Sequence, residues 1–270
     1  MTKKSEKRGT LVMGILNVTP DSFSDGGKYF GKKKALLHAR QLAESGADII
    51  DIGGESSRPG SKQITSKEEI KRVIPVLIAI KRELNIPISV DTYKPEVIKA
   101  ALSEGADYIN DITALSCGKE KSAKLIAKCE ASCILMHMKG MPGTMQNSPR
   151  YKNVVKEIKE YLKNAADFAV SNGIKKNNIY IDPGLGFGKK LEHNIEILKN
   201  ITYFKDMGYK ILVGASRKSF IGEITGKPID DRDKVTQATT AFLVMHGVDM
   251  IRVHDVSSAI DTIKIVEALM

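Results

Sequence analysis

The 270-residue sequence contains no tryptophan, has only three cysteines (Cys117, Cys129 and Cys133), and has no long run of apolar residues. An odd number of cysteines without a C-x-x-C pair indicates neither a disulfide framework nor a zinc site. No segment approaches the roughly eighteen apolar residues that a membrane-spanning helix needs. The first ten residues, MTKKSEKRGT, lack the apolar stretch of a secretory signal, so we expect a cytoplasmic protein.

Acidic residues are outnumbered, and the formal net charge is +10 at pH 7. Such an excess suits a nucleic acid, an anionic membrane surface or a small anionic substrate. The lysines are scattered along helical patterns, however, and no basic stripe is interleaved with aromatic residues. This distribution favours a lysine-rich solvated surface, with neither nucleic acid nor membrane as a partner.

Short β-branched runs alternate with helical patterns along the chain, which predicts parallel βα units. A basic tail over residues 1–9 precedes them. The candidate strands are 11–18, 48–53, 88–93, 108–112, 133–138, 179–182, 211–216 and 250–256. Eight strands in about 250 residues predict an α/β fold, a single-domain (β/α)8 TIM barrel over residues 10–270. A doubly wound open sheet is the alternative, and it would leave edge strands.

Three helix positions carry readable signals. Ser66, with Glu69 three residues later, matches a capping box, and Pro95 occupies a first-turn position. Pro75 falls inside a helical pattern and is expected to kink or split that helix.

A weak internal repeat relates three of the βα units. Its copies read SGADIIDI, EGADYINDI and HGVDMIRVHDV. The glycine of each copy is expected to end a helix before the next strand begins. Five residues after these glycines stand Asp51, Asn110 and Arg252. The shared spacing predicts that the three polar side chains face a common centre.

Polar residues also stand at the predicted strand ends, where a barrel gathers its functional groups at one mouth. They are Asn17, Asp91, Asn110, Asp111, His137, Asp182, Arg252 and His254.

Seven ordered motifs stand at these strand ends: NVTPDSFSDGG, DIGGESSRPG, SVDTYKPEV, YINDI, IDPGLGFGK, GASRKSFIG and IRVHDV. Over residues 10–256 the chain resembles the dihydropteroate synthase family. The resemblance implies a transferase of folate synthesis that joins a dihydropterin carrying a CH2-diphosphate arm to 4-aminobenzoate. It also implies Mg2+ as cofactor and a homodimer, with late helices around residues 231–268 as the candidate dimer surface.

The resemblance assigns Asp91, Asn110, Asp182 and Lys218 to pterin binding, and Lys218 also to catalysis. The chemistry is suitable, because a carboxylate can accept an exocyclic amine and a ring N–H together. An amide can donate and accept along the same edge, and an ammonium can donate to the ring carbonyl. Capping of the following turn is the alternative role for Asp91 and Asp182.

In a closed barrel the eighth strand neighbours the first, which brings Arg252, Val253 and His254 towards Asn17. Arg252 and His254 are two residues apart on a predicted strand and so share a face. A guanidinium and an imidazole N–H both suit the diphosphate, and both residues are predicted to be catalytic. The amide oxygen of Asn17 suits Mg2+, which usually bridges to substrate phosphates. A structural histidine is the alternative for His254.

The segment TPDSFSDGG after the first strand is expected to be a mobile lid over the diphosphate arm and the incoming amine. Asp25 is the predicted catalytic residue of this lid. Its carboxylate would stabilise the positive charge that develops on the pterin as the C–O bond breaks. An Asx-turn role is the alternative for Asp21 and Asp25.

The second loop, ESSRPG, is expected to fold over the same mouth. Its Ser57 stands where the family commonly has threonine, so a hydroxyl is retained. Ser219 is expected to hold the aminobenzoate carboxylate, and Phe187, Arg58 and Pro59 to shape that pocket. The run GLGFGK lacks the Ser or Thr that follows the lysine of a nucleotide-binding loop. We interpret this run as a flexible turn beside the pterin.

Two other functions stay open at this stage. A pterin-binding methyltransferase would share the barrel and the pterin-edge acids, but it needs neither a diphosphate clamp nor the SRKSF motif. A basic nucleic-acid-binding barrel without catalysis would not explain carboxylates at the mouth.

Overall fold

The computed structural model describes residues 9–19, 27–57 and 60–270, with residues 27–30 described by their backbone alone. Within these ranges the strands pair in sequence order and close into one parallel barrel. The closing pair joins the last strand to the first, with Arg252 opposite Met13. The predicted (β/α)8 barrel is therefore confirmed, and the open-sheet alternative is excluded.

The strands are β1 Leu11–Asn17, β2 Ile49–Gly53, β3 Ile88–Asp91, β4 Tyr108–Asp111, β5 Ser132–Met136, β6 Ile179–Asp182, β7 Lys210–Val213 and β8 Met250–Val253. The α-helices are α1 Gly27–Glu44, α2 Ser66–Glu83, α3 Pro95–Ser103, α4 Lys119–Lys128, α5 Val154–Ser171, α6 Leu191–Lys199, α7 Ser219–Thr225, α8 Arg232–Met245 and α9 Val256–Leu269. Several predicted strands run too far, because their β-branched pattern continues into the loops at the mouth.

The barrel interior has an apolar floor below its polar mouth. A separate buried cluster fills this floor with inward-facing strand residues: Met13, Ile49, Ile134, Tyr180, Leu212 and Met250. Each fully buried side chain of this size contributes about 1.5–3 kcal/mol to folding. The outward faces of the strands pack under the helices in a second, larger core. The two cores fix the strand ends from both sides, so the polar residues above the floor stand on a rigid base.

Helix α2 differs from its predicted start and from its predicted break. The N-cap is Thr65, whose Oγ1 accepts a hydrogen bond from Glu68 N at 3.2 Å, so the capping box at Ser66 is wrong by one residue. The helix continues through Pro75 without splitting. Pro75 is exposed, so water can satisfy the carbonyl that its missing N–H leaves free. Pro95 begins α3, as predicted.

The glycines of the repeat end their helices as predicted. Gly46, Gly105 and Gly247 follow α1, α3 and α8 with φ of 96°, 84° and 65°, values that a side chain disfavours.

The cysteines are free thiols, Cys117 and Cys129 exposed and Cys133 buried. Among the helices described, none combines the length and the apolar character that crossing a bilayer requires.

Candidate active site

A charged cluster at the ends of four strands forms the centre of the barrel mouth. Arg252 Nε donates to Asp51 Oδ2 at 2.6 Å, and Arg252 Nη2 donates to Asp91 Oδ2 at 2.9 Å. Asn110 Nδ2 donates to the same Asp51 oxygen at 3.3 Å. The three residues that follow the repeat glycines are thus joined, which confirms the predicted common centre.

Charges in this cluster do not balance, since one guanidinium serves two carboxylates. Asp51 is fully buried, and Arg252 keeps 20% of its side chain exposed. Burial lowers the pKa of Arg252, but Asp51 and Asp91 raise this pKa by more. Burial also raises the pKa of Asp91 to about 7, although Arg252 opposes this rise. The cluster can therefore accept further hydrogen-bond donors from a ligand.

A second acid–base pair stands across the mouth, at the end of β6 and after β7. Asp182 is buried, and its Oδ1 accepts from Gly184 N at 2.7 Å. Burial raises the pKa of Asp182 to about 6, against the Gly184 hydrogen bond and the charge of Lys218. Burial lowers the pKa of Lys218 to about 8, against the attraction of Asp182. The pair offers an acceptor and a donor to the polar edges of a planar ligand.

The run GLGFGK forms the turn that carries Phe187 into the site. Gly184 and Gly188 have φ of 68° and 64°. A Cβ at Gly184 would lie 2.0 Å from His137 O, and one at Gly188 would lie 2.2 Å from Lys139 O. Close backbone packing therefore requires these glycines. The turn lies beside the site as predicted, and its flexibility stays a prediction.

An apolar wall accompanies the polar groups. The wall consists of the buried side chains of Tyr93, Ile112, Met136, Met145 and Phe187. Lys218 Nζ lies 4.0 Å from the centroid of the Phe187 ring. Sequence reasoning found only Phe187 of this wall. The inward alternation of the predicted strands could have identified Met136, and also Tyr93 two residues after Asp91, whereas Met145 comes from a loop with no periodic signal.

Two predicted mouth residues support neighbouring turns: Asp111, the last residue of β4, and His137, which directly follows β5. Asp111 Oδ1 accepts from Thr113 N at 2.7 Å and caps the turn after β4. His137 Nδ1 lies 2.9 Å from Lys189 Nζ, and burial, followed by the charge of Lys189, lowers the pKa of His137 to about 2. Neighbouring strand residues face opposite sides, so Asn110 points inward while Asp111 points outward. The prediction that Asp111 and His137 join the polar groups of the mouth is therefore wrong.

Closure of the barrel is confirmed, but the described contacts do not join Arg252, His254 and Asn17. Strand β8 ends at the buried Val253, so His254 follows the strand directly, and its shared face with Arg252 stays a prediction. His254 Nδ1 lies 3.0 Å from Ser216 Oγ. Asn17 Oδ1 points towards β2, 3.4 Å from the position of a Cβ built on Gly53. Shared binding of a diphosphate by these residues stays a prediction.

The remaining predicted residues lie around the rim or outside the described chain. Ser219 is exposed at the start of α7, beside a cavity of about 520 Å³ that Gln146 and Lys190 also line. Ser57 is half-buried. Asp21, Asp25, Arg58 and Pro59, and most of the predicted lid, fall outside the described residues.

Comparisons with known proteins match almost the whole barrel. A family model described as pterin binding enzyme matches residues 13–254. The dihydropteroate synthase of Synechocystis sp. is 44% identical over 262 residues, which cover 96% of this chain and 90% of that relative. The chain belongs to the dihydropteroate synthase family. A second member, from Clostridium beijerinckii, is 45% identical over 248 residues, covering 92% of this chain and 89% of its own.

Solved structures of family members share the barrel. The Clostridium difficile dihydropteroate synthase, solved in the presence of pteroic acid, has 44% identity and a TM-score of 0.91, with 97% of each chain covered. The Xanthomonas albilineans dihydropteroate synthase, in complex with 7,8-dihydropteroate, has 37% identity and a TM-score of 0.86, with 96% of this chain and 93% of that chain covered. Membership of the family confirms the resemblance and the prediction of a transferase.

Proposed function

We propose that this protein condenses (7,8-dihydropterin-6-yl)methyl diphosphate with 4-aminobenzoate to give 7,8-dihydropteroate and diphosphate. The observation that carries the proposal is the ion cluster of Arg252, Asp51 and Asp91 at the mouth of a barrel of the dihydropteroate synthase family, with Lys218 against the Phe187 ring of the adjoining wall. Support for the substrates comes from the Xanthomonas albilineans relative, whose structures contain 7,8-dihydropteroate and 4-aminobenzoic acid.

The pterin is proposed to lie between Asp182 and the central cluster. The Asp182 carboxylate accepts from the exocyclic amine and a ring N–H, and Lys218 donates to the ring carbonyl. Asn110 and Asp91 take the remaining polar positions of the ring. Because the apolar wall around Phe187 borders these groups, it suits the faces of a planar ring.

Cleavage of the C–O bond is the difficult step, since an aryl amine is already unprotonated at neutral pH. The C–O electron pair leaves with the diphosphate, the amine lone pair forms the new C–N bond, and the amine proton passes to solvent. Arg252 and His254 are proposed to bind the departing diphosphate. Asp25, which lies outside the described residues, is proposed to stabilise the developing pterin cation. The transition state is therefore dissociative.

We also propose Mg2+ at Asn17. A Cβ on Gly53 would lie 3.4 Å from Asn17 Oδ1 and 3.9 Å from Asp91 Oδ2, so the glycine leaves space between two hard oxygen atoms. The part of the chain that the structure describes holds no group of three or more His, Cys, Asp or Glu suited to a metal ion. Water and substrate phosphates would therefore supply most ligands, as Mg2+ prefers. When bound, Mg2+ would neutralise charge on the leaving diphosphate.

The pocket for 4-aminobenzoate is proposed at the rim, with Ser219 on the carboxylate. Ser57, Arg58 and Phe187 are proposed to border the ring, and Val253 to contribute to the diphosphate site. No nucleic-acid or membrane partner is proposed.

A homodimer through the late helices is proposed as well. Exposed apolar side chains on α8, α9 and the C-terminus support this surface: Met245, Ile265, Leu269 and Met270. Sedimentation of the wild type and of Ile265→Lys would test it.

The cytoplasm is the proposed location, which the free cysteines support.

Incubation of the purified protein with Mg2+, the dihydropterin diphosphate and 4-aminobenzoate tests the reaction. We expect equal amounts of 7,8-dihydropteroate and released diphosphate. Absence of condensation, with retention of an oligonucleotide that weakens steeply with salt, would instead favour the nucleic-acid-binding alternative.

A further inference from the structure

A buried ion cluster outside the pterin site joins two of the loops at the mouth to a neighbouring helix. Lys94, directly before α3, has Nζ 2.5 Å from Glu55 Oε2 and 2.5 Å from Glu69 Oε2. The side chains of Lys94, Glu55 and Glu69 are 11%, 10% and 1% exposed. One ammonium thus bridges the loop after β2 and helix α2 at a point shielded from water.

Glu55 uses the same carboxylate to close the loop that contains Ser57. Glu55 Oε2 also accepts from Ile64 N at 2.8 Å, so the start of the segment 55–64 is tied to its end. A second contact inside the segment joins Ser61 Oγ to Ser56 O at 2.5 Å. The base of this loop is therefore closed by a side chain that Lys94 holds in place.

Glu55 also extends the cluster to the wall of the proposed active site. Tyr93 OH donates to Glu55 Oε1 at 2.8 Å. The Tyr93 side chain belongs to the apolar wall that contains Phe187. A displacement of Glu55 would therefore change both the Ser57 loop and this wall. Lys94 and Glu69 belong to neither of them.

Electrostatics makes the ammonium necessary to this arrangement. Two carboxylates that converge on one point repel each other, and burial leaves little water to screen the repulsion. Without the Lys94 charge, the Glu55 carboxylate would turn towards solvent and release Ile64 N and Tyr93 OH.

We propose that Lys94 is a positioning residue for 4-aminobenzoate: by fixing Glu55, it sets the place of the Ser57 loop without contacting the substrate. The proposal rests on the proposed function, in which this loop borders the aminobenzoate pocket. Asp182, Lys218 and Asn110, which are proposed to bind the pterin edges, stand on other elements, so a displacement of Glu55 reaches the pterin only through Tyr93 of the apolar wall.

The test compares Lys94→Met, Lys94→Arg and a matched control. In Lys94→Met we expect a KM for 4-aminobenzoate raised about tenfold, with a smaller loss of affinity for the dihydropterin diphosphate, by no more than about threefold. Lys94→Arg should return the KM for 4-aminobenzoate most of the way to the wild-type value. Lys121→Met, which breaks the exposed Lys121–Glu96 pair on the neighbouring helix, should leave both values unchanged.

Tryptic cleavage after Lys62, an exposed residue of the same loop, gives a readout that does not require activity. Cleavage should accelerate in Lys94→Met and return towards the wild-type rate in Lys94→Arg. If Lys94→Met fails to fold, Lys94→Gln removes the charge and keeps one hydrogen-bond donor in the cluster, and it should raise the aminobenzoate KM and accelerate Lys62 cleavage in the same direction.

Unchanged aminobenzoate KM and unchanged Lys62 cleavage in a folded variant would overturn the proposal. Equal losses for both substrates would also overturn it, because they would indicate a general structural role. Accelerated Lys62 cleavage in Lys94→Met, with a wild type that makes no dihydropteroate, would instead refute the proposed function and leave the control of the loop by Lys94 standing.

Discussion

Folding and ligand binding favour opposite protonation states of a buried side chain at the mouth, and Asp182 is the clearest case. Its pKa is raised to about 6 by burial, above the value of an exposed aspartate. Between those two pKa values the folded state binds more protons than the unfolded state, so the stability that Asp182 contributes falls as pH rises towards 6. The ionised form required for ligand binding is therefore the form that destabilises the fold.

Asp182→Asn should separate the two effects. At pH 8 we expect a gain in unfolding free energy of about 1–3 kcal/mol, because no charge is buried. Pterin binding should weaken by about 1.5–3 kcal/mol, because one amide oxygen cannot accept both ring donors. Denaturant unfolding and calorimetry measure the two quantities. Unchanged pterin affinity would remove Asp182 from the pterin site.

Dihydropterin affinity should follow a bell-shaped pH profile. Protonation of Asp182, with a pKa of about 6, should weaken binding about tenfold at pH 5, and Asp91, with a pKa of about 7, should steepen the fall. Above pH 8, Lys218 loses the proton that it donates to the ring carbonyl. Calorimetry from pH 5 to 9 on wild type, Asp91→Asn and Asp182→Asn assigns the acidic limb, and the same measurement on Lys218→Met assigns the basic limb. An Asp182→Asn profile identical to that of the wild type would contradict the assignment.

For single residues, the sequence predicts the site correctly where a repeat carries the information. The shared spacing identified Asp51, Asn110 and Arg252 as one centre, and the contacts confirm it. The same reasoning placed Asp111 and His137 at the mouth, because it read the polarity of strand ends without assigning each residue to a face.

The loops of the barrel depend on the backbone conformation and close packing of particular residues, which the composition of a loop does not specify. The composition of GLGFGK predicts flexibility. In the structure the glycines of this run permit contacts too close for any side chain, such as the approach of Gly184 to His137 O. Helix starts were likewise predicted to within one residue at Thr65, and the continuity of α2 through Pro75 depends on which face meets solvent.

Gly184→Ala tests the role of the glycine turn, with Gly226→Ala as the matched control. Both glycines have positive φ, 68° and 69°, but only Gly184 would bring its Cβ against backbone, since nothing lies within 4 Å of one at Gly226. Gly226→Ala should cost about 1–2 kcal/mol of stability and leave pterin binding intact. Gly184→Ala should cost more and weaken pterin binding. Equal effects in thermal unfolding and calorimetry would show that the close approach is unimportant.

Ring closure organises the whole molecule, because it brings together residues that are far apart in the chain. Arg252 and Asp51 are separated by 201 positions and yet form an ion pair. Eight predicted strands were sufficient to predict closure. The strand pattern does not predict that Arg252 contacts Asp51 and Asp91. Several acids stand at the mouth, and only their distances in the folded structure determine which of them Arg252 pairs with.

The central proposal is that Arg252 and Asn17 form one anion site in the closed barrel, next to the pterin site. Calorimetry tests it with two ligands, the dihydropterin diphosphate and the dihydropterin alcohol that lacks the phosphates. A background that carries Asp51→Asn and Asp91→Asn keeps both buried carboxylates from losing their partner when Arg252 is replaced.

In that background, Arg252→Ala should weaken binding of the diphosphate about 10- to 100-fold, the range for a charged hydrogen-bond partner, and should change binding of the alcohol by less than about threefold. Adding Asn17→Ala should give a non-additive further loss, because both residues act on one anion. Equal losses for the two ligands, or additive losses for the two substitutions, would contradict the shared anion site.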